Sequence, residues 1–133
     1  MKGVRASVTR GLQVGSKVQT CDNSGAKVVQ IVGVKGMRTV KGRIPAAGVG
    51  DMVMVSVVSG KPDMRSKVVP AVVVRQAKEY RRVDGMRVKF EDNSVVVLKD
   101  EKGNPKGTIF KGPIAKESVE RWPAIGKVAN MVL

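Results

Sequence analysis

Residues 67–98, KVVPAVVVRQAKEYRRVDGMRVKFEDNSVVVL, constrain the fold more than any other stretch. An apolar run at 68–74 is interrupted only by Pro70 and then gives way to Arg75, Lys78, Arg81 and Arg82. Asp84-Gly85 marks a reversal, after which Met86, Val88 and Phe90 alternate with Arg87, Lys89 and Glu91. A second reversal at Asp92-Asn93 leads into the apolar run 95–98. Alternation of period two, bounded by Asp-Gly and Asp-Asn, reads as strands joined by tight turns. One side buries Val, Met and Phe, and the other carries cations.

The rest of the chain extends this pattern. Residues 1–16 read as a basic arm ending in a Gly11–Gly15 turn, and a strand begins near Val18 and stops at Asp22-Asn23-Ser24-Gly25, a cluster of turn formers. A second strand is expected over 27–34 and a third over 51–58, where Val53, Val55 and Val57 alternate with Met52, Met54 and Ser56. Both faces of that third strand are mostly apolar, which suits a closed barrel or a covered sheet. Between them, Lys35, Arg38, Lys41 and Arg43 are spaced by glycines with no acid until Asp51. Gly36, Gly42 and Pro45 would each penalise a helix there, so the segment reads as a basic loop or twisted ribbon. Thr108-Ile109-Phe110 is a candidate closing strand, residues 113–119 a short helix with Pro113 near its first position, and 122–128 a further turn or two anchored by Trp122. Short strands with turns every 8–12 residues imply an all-β barrel or sandwich with a compact C-terminal tail.

Charge narrows the partners. The chain carries 25 basic and 11 acidic residues, a net of +14, and residues 1–43 hold nine of those cations against Asp22 alone. Such an excess has a polyanionic partner as its commonest physical reason. With Cys21 the only cysteine and no histidine, an internal disulfide, a Cys/His metal cluster and the usual His-based catalytic schemes are excluded. Cys21 reads as a buried thiol, and no metal or cofactor is expected. No apolar run reaches the roughly 18–20 residues of a membrane span, and the N-terminus lacks a secretory centre, so the cytoplasm is the default compartment and a membrane is not an expected partner.

Aromatic content separates modes of RNA binding. With two Phe, one Tyr and one Trp, only Tyr80 is placed to stack a base, and it reads equally as a partly buried rim residue. Contact through phosphate and shape with folded RNA fits better, and no recognition helix for DNA is present. The acids near turns, Asp63, Asp84, Glu91, Asp92, Asp100 and Glu101, suit local backbone hydrogen bonding rather than catalysis. A free basic translation or chromatin factor and an acid-dependent hydrolase are the competing readings.

Several motifs together carry a resemblance. They are D-N-S-G-A-K at 22–27, V-K-G at 34–36, P-A-A-G-V-G-D-M-V at 45–53, P-A-V-V-V-R-Q at 70–76, Y-R-R-x-D-G at 80–85, F-E-D-N at 90–93, G-T-I-F-K-G-P-I-A-K-E at 107–117 and R-W-P at 121–123. From about Gly11 onward the chain resembles the universal large-subunit ribosomal protein fourteen family, in its archaeal and eukaryotic branch. That resemblance implies a closed five-stranded meander β-barrel with a projecting β-ribbon and short C-terminal helices. It divides one domain into the arm 1–16, the barrel 17–110 and a helical tail 111–133. It implies a non-enzymatic protein of the cytoplasmic large subunit that binds 23S-type rRNA and bridges to small-subunit rRNA. The implied neighbours are ribosomal protein three and an L24e-type protein, with a docking surface for the anti-association initiation factor. The matching rRNA-binding positions are Lys35, Arg38, Lys41, Arg43, Arg75, Lys78, Arg81 and Arg82, and the bridge or docking positions are Lys111, Lys116, Arg121 and Trp122. Within that frame the opening stretch becomes a pair of barrel strands, with Val72, Val74, Val88 and Phe90 as core and residues 75–82 leaving the barrel to grip RNA.

Overall fold

A computed structural model describes residues 8–36 and 41–133. Among these residues, eleven strands and two short helices follow one another as β1 (Leu12–Gln13), β2 (Lys17–Thr20), β3 (Ala26–Val34), β4 (Ala46–Ala47), β5 (Met52–Gly60), β6 (Val68–Arg75), β7 (Tyr80–Arg81), β8 (Arg87–Val88), β9 (Ser94–Val97), β10 (Pro113–Ile114), α1 (Lys116–Arg121), α2 (Pro123–Gly126) and β11 (Met131–Val132). Five of them close a barrel in the order β2-β3-β5-β6-β9. Each is antiparallel to the next, and the ring is shut by a parallel contact between β2 and β9, Gln19 with Ser94 and Thr20 with Val95. The five-stranded meander barrel and the short C-terminal helices expected from the sequence are present.

The interior is narrow and is filled mainly by valine. Val18, Val29, Ile31, Val53, Val55, Val57, Ala71, Val73, Val95 and Val97 are buried together, as strand alternation demands. Met64, in the loop after β5, is buried against the same cluster. A second cluster lies outside the barrel wall, where Met52, Val72, Val74, Val96 and Leu98 meet Phe110, Ile114, Trp122 and Ile125 of the C-terminal segment. Strands β6 and β9 are thus apolar on both faces, which is why their sequences read as unbroken apolar runs. The Pro70 carbonyl accepts from the Leu98 N–H at 2.9 Å one step before the first β6–β9 pair, Ala71 with Val97, so the missing N–H of Pro70 forfeits a bond only at the end of that ladder.

Three local expectations are corrected. The return strand 86–90 is not part of the barrel: Arg87–Val88 pairs only with Tyr80–Arg81, Met86 is 65% exposed, and Val88 and Phe90 are half-buried around a small satellite cluster. The barrel strand is instead β9, where every residue is buried. Burial on two faces beats alternation on one, because the barrel wall here carries the C-terminal layer on its outside. Thr108-Ile109-Phe110 is not a closing strand either; Phe110 makes one isolated bridge to Asp22 and fills the outer cluster. The helix expected at 113–119 begins at Lys116, because Pro113–Ile114 is drawn into a parallel pair with Met131–Val132.

Trp122 ties this outer layer to the barrel. Its indole is buried and its Nε1–H donates to the Gly50 carbonyl at 2.8 Å. The ring packs so closely on Gly103 that a side chain there would collide with it. Trp122→Ala is therefore expected to cost roughly 3–5 kcal/mol in denaturant unfolding; a loss below about 1 kcal/mol would mean that the outer layer does not depend on the indole.

Candidate nucleic-acid interface

Strand β6 ends at Arg75, and β9 begins one rung away, since Arg75 and Ser94 are register partners. The segment 76–93 is therefore an excursion that leaves the barrel and returns to the same place. Its base is clamped by backbone and amide contacts. The Ala77 N–H donates to Asn93 Oδ1 at 2.8 Å, and the Phe90 N–H donates to the Gln76 carbonyl at 3.0 Å. Gln76 is fully buried. Its Oε1 accepts from the Val49 N–H, and its Nε2 donates to the Thr9 and Lys78 carbonyls, each at 2.9 Å. One side chain thus joins the N-terminal segment, the 48–51 turn and the root of the excursion. Gly11 lies against the Lys78 stem, which brings the Arg10 segment alongside.

Two arginines of this region turn inward. Arg75 is 11% exposed and pairs with Asp92. Its Nη1 donates to the Lys111 and Pro113 carbonyls, and its Nη2 to Ser94 Oγ at 2.8 Å. The Nε lies 3.1 Å from Asp92 Oδ1 as an ion-pair contact without a directed hydrogen bond. Gly112 must be glycine at its φ of +77°, because a Cβ would strike the Arg75 guanidinium. Arg82 is 14% exposed and donates through Nε to Glu117 Oε1 at 2.7 Å, with Nη2 reaching the Leu133 carbonyl. Glu117 is 2% exposed and also accepts from the Tyr80 hydroxyl at 2.9 Å. Burial works against the Arg82 charge, but hydrogen bonds to Tyr80 and Glu117 outweigh it and hold its pKa above the ordinary value. Tyr80 is fully buried, so it neither stacks a base nor sits partly buried at a rim, and both sequence readings are corrected.

The cations that remain face water. Lys41, Arg43, Lys78 and Arg81 are exposed and make no ion pair among the described residues. Arg81 stands directly opposite Arg87 in the β7–β8 pair. Like charges in that position destabilise a ribbon unless an anion sits between or over them. Arg87 also pairs with Glu79 at 3.2 Å, an exposed contact of little worth. Arg87 was not among the candidate residues; a two-residue Asp84-Gly85 turn would set it against Arg82, and the three-residue loop 83–85 sets it against Arg81 instead. Arg38 lies outside the described residues.

The second candidate group divides in the same way. Lys111 and Lys116 are exposed, whereas Trp122 is the buried anchor and Arg121 binds Asp51 at 2.9 Å with its guanidinium 5.9 Å over the indole. Lys35, from the first group, pairs with Glu101 at 2.5 Å on the C-terminal side of β3. No three Cys, Asp or Glu side chains converge to hold a metal among the described residues, and no helix is long and apolar enough to cross a membrane.

Burial pushes the Cys21 thiol from its ordinary 9.0 up to about 12, Arg75 opposing and Asp22 adding to the shift. Burial, with the Glu117 carboxylate against the opposing pull of Arg82, moves the Tyr80 phenol from 10.0 to about 12. Both groups are more acidic when unfolded, so their contribution is intact below pH 9 and is lost as pH rises toward 12. The denaturant midpoint is expected to fall over that window, and less steeply in Cys21→Ala; a flat midpoint would mean that neither group is buried as described.

A family described as Ribosomal protein L14p/L23e matches residues 11–133. The chain is also 54% identical over 133 residues to the large ribosomal subunit protein uL14 of Nanoarchaeum equitans (strain Kin4-M), covering all of both chains. It is 50% identical over 133 residues to the large ribosomal subunit protein uL14 of Methanocorpusculum labreanum (strain ATCC 43576 / DSM 4855 / Z), again across the whole of both.

Proposed function

The chain belongs to the ribosomal protein L14p/L23e family, and from that membership we propose that its outward-facing cations bind 23S-type rRNA directly and help bridge the two subunits. Like its archaeal relatives it is a structural component of the large ribosomal subunit, a cytoplasmic particle, and not an enzyme. The reading beyond that rests on one observation above the others. Arg81 and Arg87 face each other across a two-stranded ribbon, in a chain whose net charge is +14. A phosphate backbone relieves that repulsion, and counterion release makes the contact favourable without any base readout.

In this account Lys78, Arg81 and Arg87 meet rRNA on one side of the barrel, and Lys35, Arg38, Lys41 and Arg43 meet it through the basic loop. Arg75 and Arg82 serve the same contact indirectly by holding the excursion in place. Lys111, Lys116, Arg121 and Trp122 belong to the surface that would face small-subunit rRNA and neighbouring proteins, with Trp122 and Arg121 setting its shape from below. Ribosomal protein three, an L24e-type protein and the anti-association initiation factor are the partners proposed for that surface. No cofactor is invoked.

The two kinds of arginine separate experimentally. Arg81→Ala with Arg87→Ala should lower the slope of log affinity against log salt for an rRNA fragment by about 1–2 units, with folding stability unchanged or slightly raised. Arg82→Ala should instead destabilise the fold by roughly 3–5 kcal/mol, because it leaves Glu117 buried and unpaired. An unchanged salt slope in the first variant would remove the ribbon from the interface.

A further inference from the structure

The fold joins Lys35, from the basic loop, to Arg121 at the end of α1 and Trp122 just after it, in a cleft of about 470 Å³ that Glu101 and Lys102 also line. We propose that this cleft holds one unpaired nucleotide of the RNA the protein binds, a proposal that rests on the rRNA-binding reading and names a subsite within it.

The volume lies within the range of small-ligand pockets. Met52 and Trp122 supply an apolar floor. At the mouth Arg121 is held by Asp51 and Lys35 by Glu101, so the attraction for an anion comes from Lys102 and from Lys35 once its exposed pair opens. Trp122 is too deeply buried to offer an open face, and Arg121 already lies over its ring. A base entering here therefore meets the indole edge and the Met52 thioether, while its phosphate lies toward Lys35 and Lys102. Glu101 adds an acceptor able to take the exocyclic amino group of a base. The Lys35–Glu101 pair spans the cleft, and both side chains are about half exposed, so the pair opens at little cost. A duplex cannot present one nucleotide in this way, whereas loops and bulges splay bases out.

Trp122 is the only indole, so its Nε1–H gives one resonance that reports on the cleft. The full-length protein would be titrated with the four nucleoside 5′-monophosphates, with a single-stranded RNA hexanucleotide and with a duplex of the same length. The expected result is a saturable shift of the indole resonance with the single strand and with at least one monophosphate, and none with the duplex. Lys35→Ala with Lys102→Ala should weaken that binding about tenfold, whereas Lys61→Ala, beyond the opposite end of β5, should leave it unchanged. All three lysines are exposed, so folding is not at stake. No shift with any single-stranded probe, while an rRNA fragment still binds with its normal salt slope, would overturn the cleft and leave the rRNA-binding reading standing. An equal shift with the duplex would also overturn it, because the cleft would then be sensing phosphate alone. Failure of both the rRNA fragment and the nucleotides to bind would remove the cleft and the broader reading together.

Discussion

The barrel is shut by one parallel contact, Gln19 and Thr20 against Ser94 and Val95, and most of the molecule follows from it. Closure leaves no free barrel edge to pair with another chain. It also requires β9 to run back along β6 before it meets β2, and the chain must turn around between them. Because Arg75 and Ser94 occupy the same rung, the turn is free to be long. The segment 76–93 uses that freedom to carry a short ribbon and most of the mid-chain cations. Had β9 followed β6 through a two-residue hairpin, none of those side chains would stand away from the wall.

A long excursion is useful for binding only if it is held. Arg75 and Gln76 hold its root, and Arg82 with Tyr80 docks the ribbon onto the buried Glu117 of α1. Leaving Glu117 unpaired at 2% exposure would be costly, so ribbon and helix position each other. The division of labour among cations follows from desolvation. An arginine with several donors and little water is committed to the protein, whereas one without a partner and facing solvent is available to phosphate. Outer burial then completes the frame, with Trp122 pinning the C-terminal layer to Gly50 and leaving a cleft at its margin.

Much of this was legible in the sequence, for identifiable reasons. Valine-rich runs bounded by Gly, Asn and Asp mark barrel strands because both propensity and turn chemistry agree there. The choice between 86–90 and 94–97 as the second barrel strand was not legible. Met86, Val88 and Phe90 alternate as a half-buried strand should, and only the outer layer of Phe110, Ile114 and Trp122 makes the unbroken run at β9 the better buried one. The fates of Arg75 and Arg82 were hidden for a different reason. Their carboxylate partners, Asp92 and Glu117, lie 17 and 35 residues away, and a charge count sees cations without seeing what they face. Tyr80 was ambiguous because an amphipathic ring suits a rim and a base equally well. The opposition of Arg81 and Arg87 was hidden as well, because a two-residue Asp84-Gly85 turn would set Arg87 against Arg82, and the loop that forms is one residue longer.

The central claim is that position, not type, sorts these arginines and lysines into a frame and a surface. Nucleotide crosslinking in intact large subunits, with adducts mapped to single residues, tests it most directly. The account predicts rRNA adducts at Lys41, Arg43, Lys78, Arg81 and Arg87 and none at Arg75 or Arg82. Adducts concentrated on Arg75 and Arg82, with the exposed set unmodified, would contradict it.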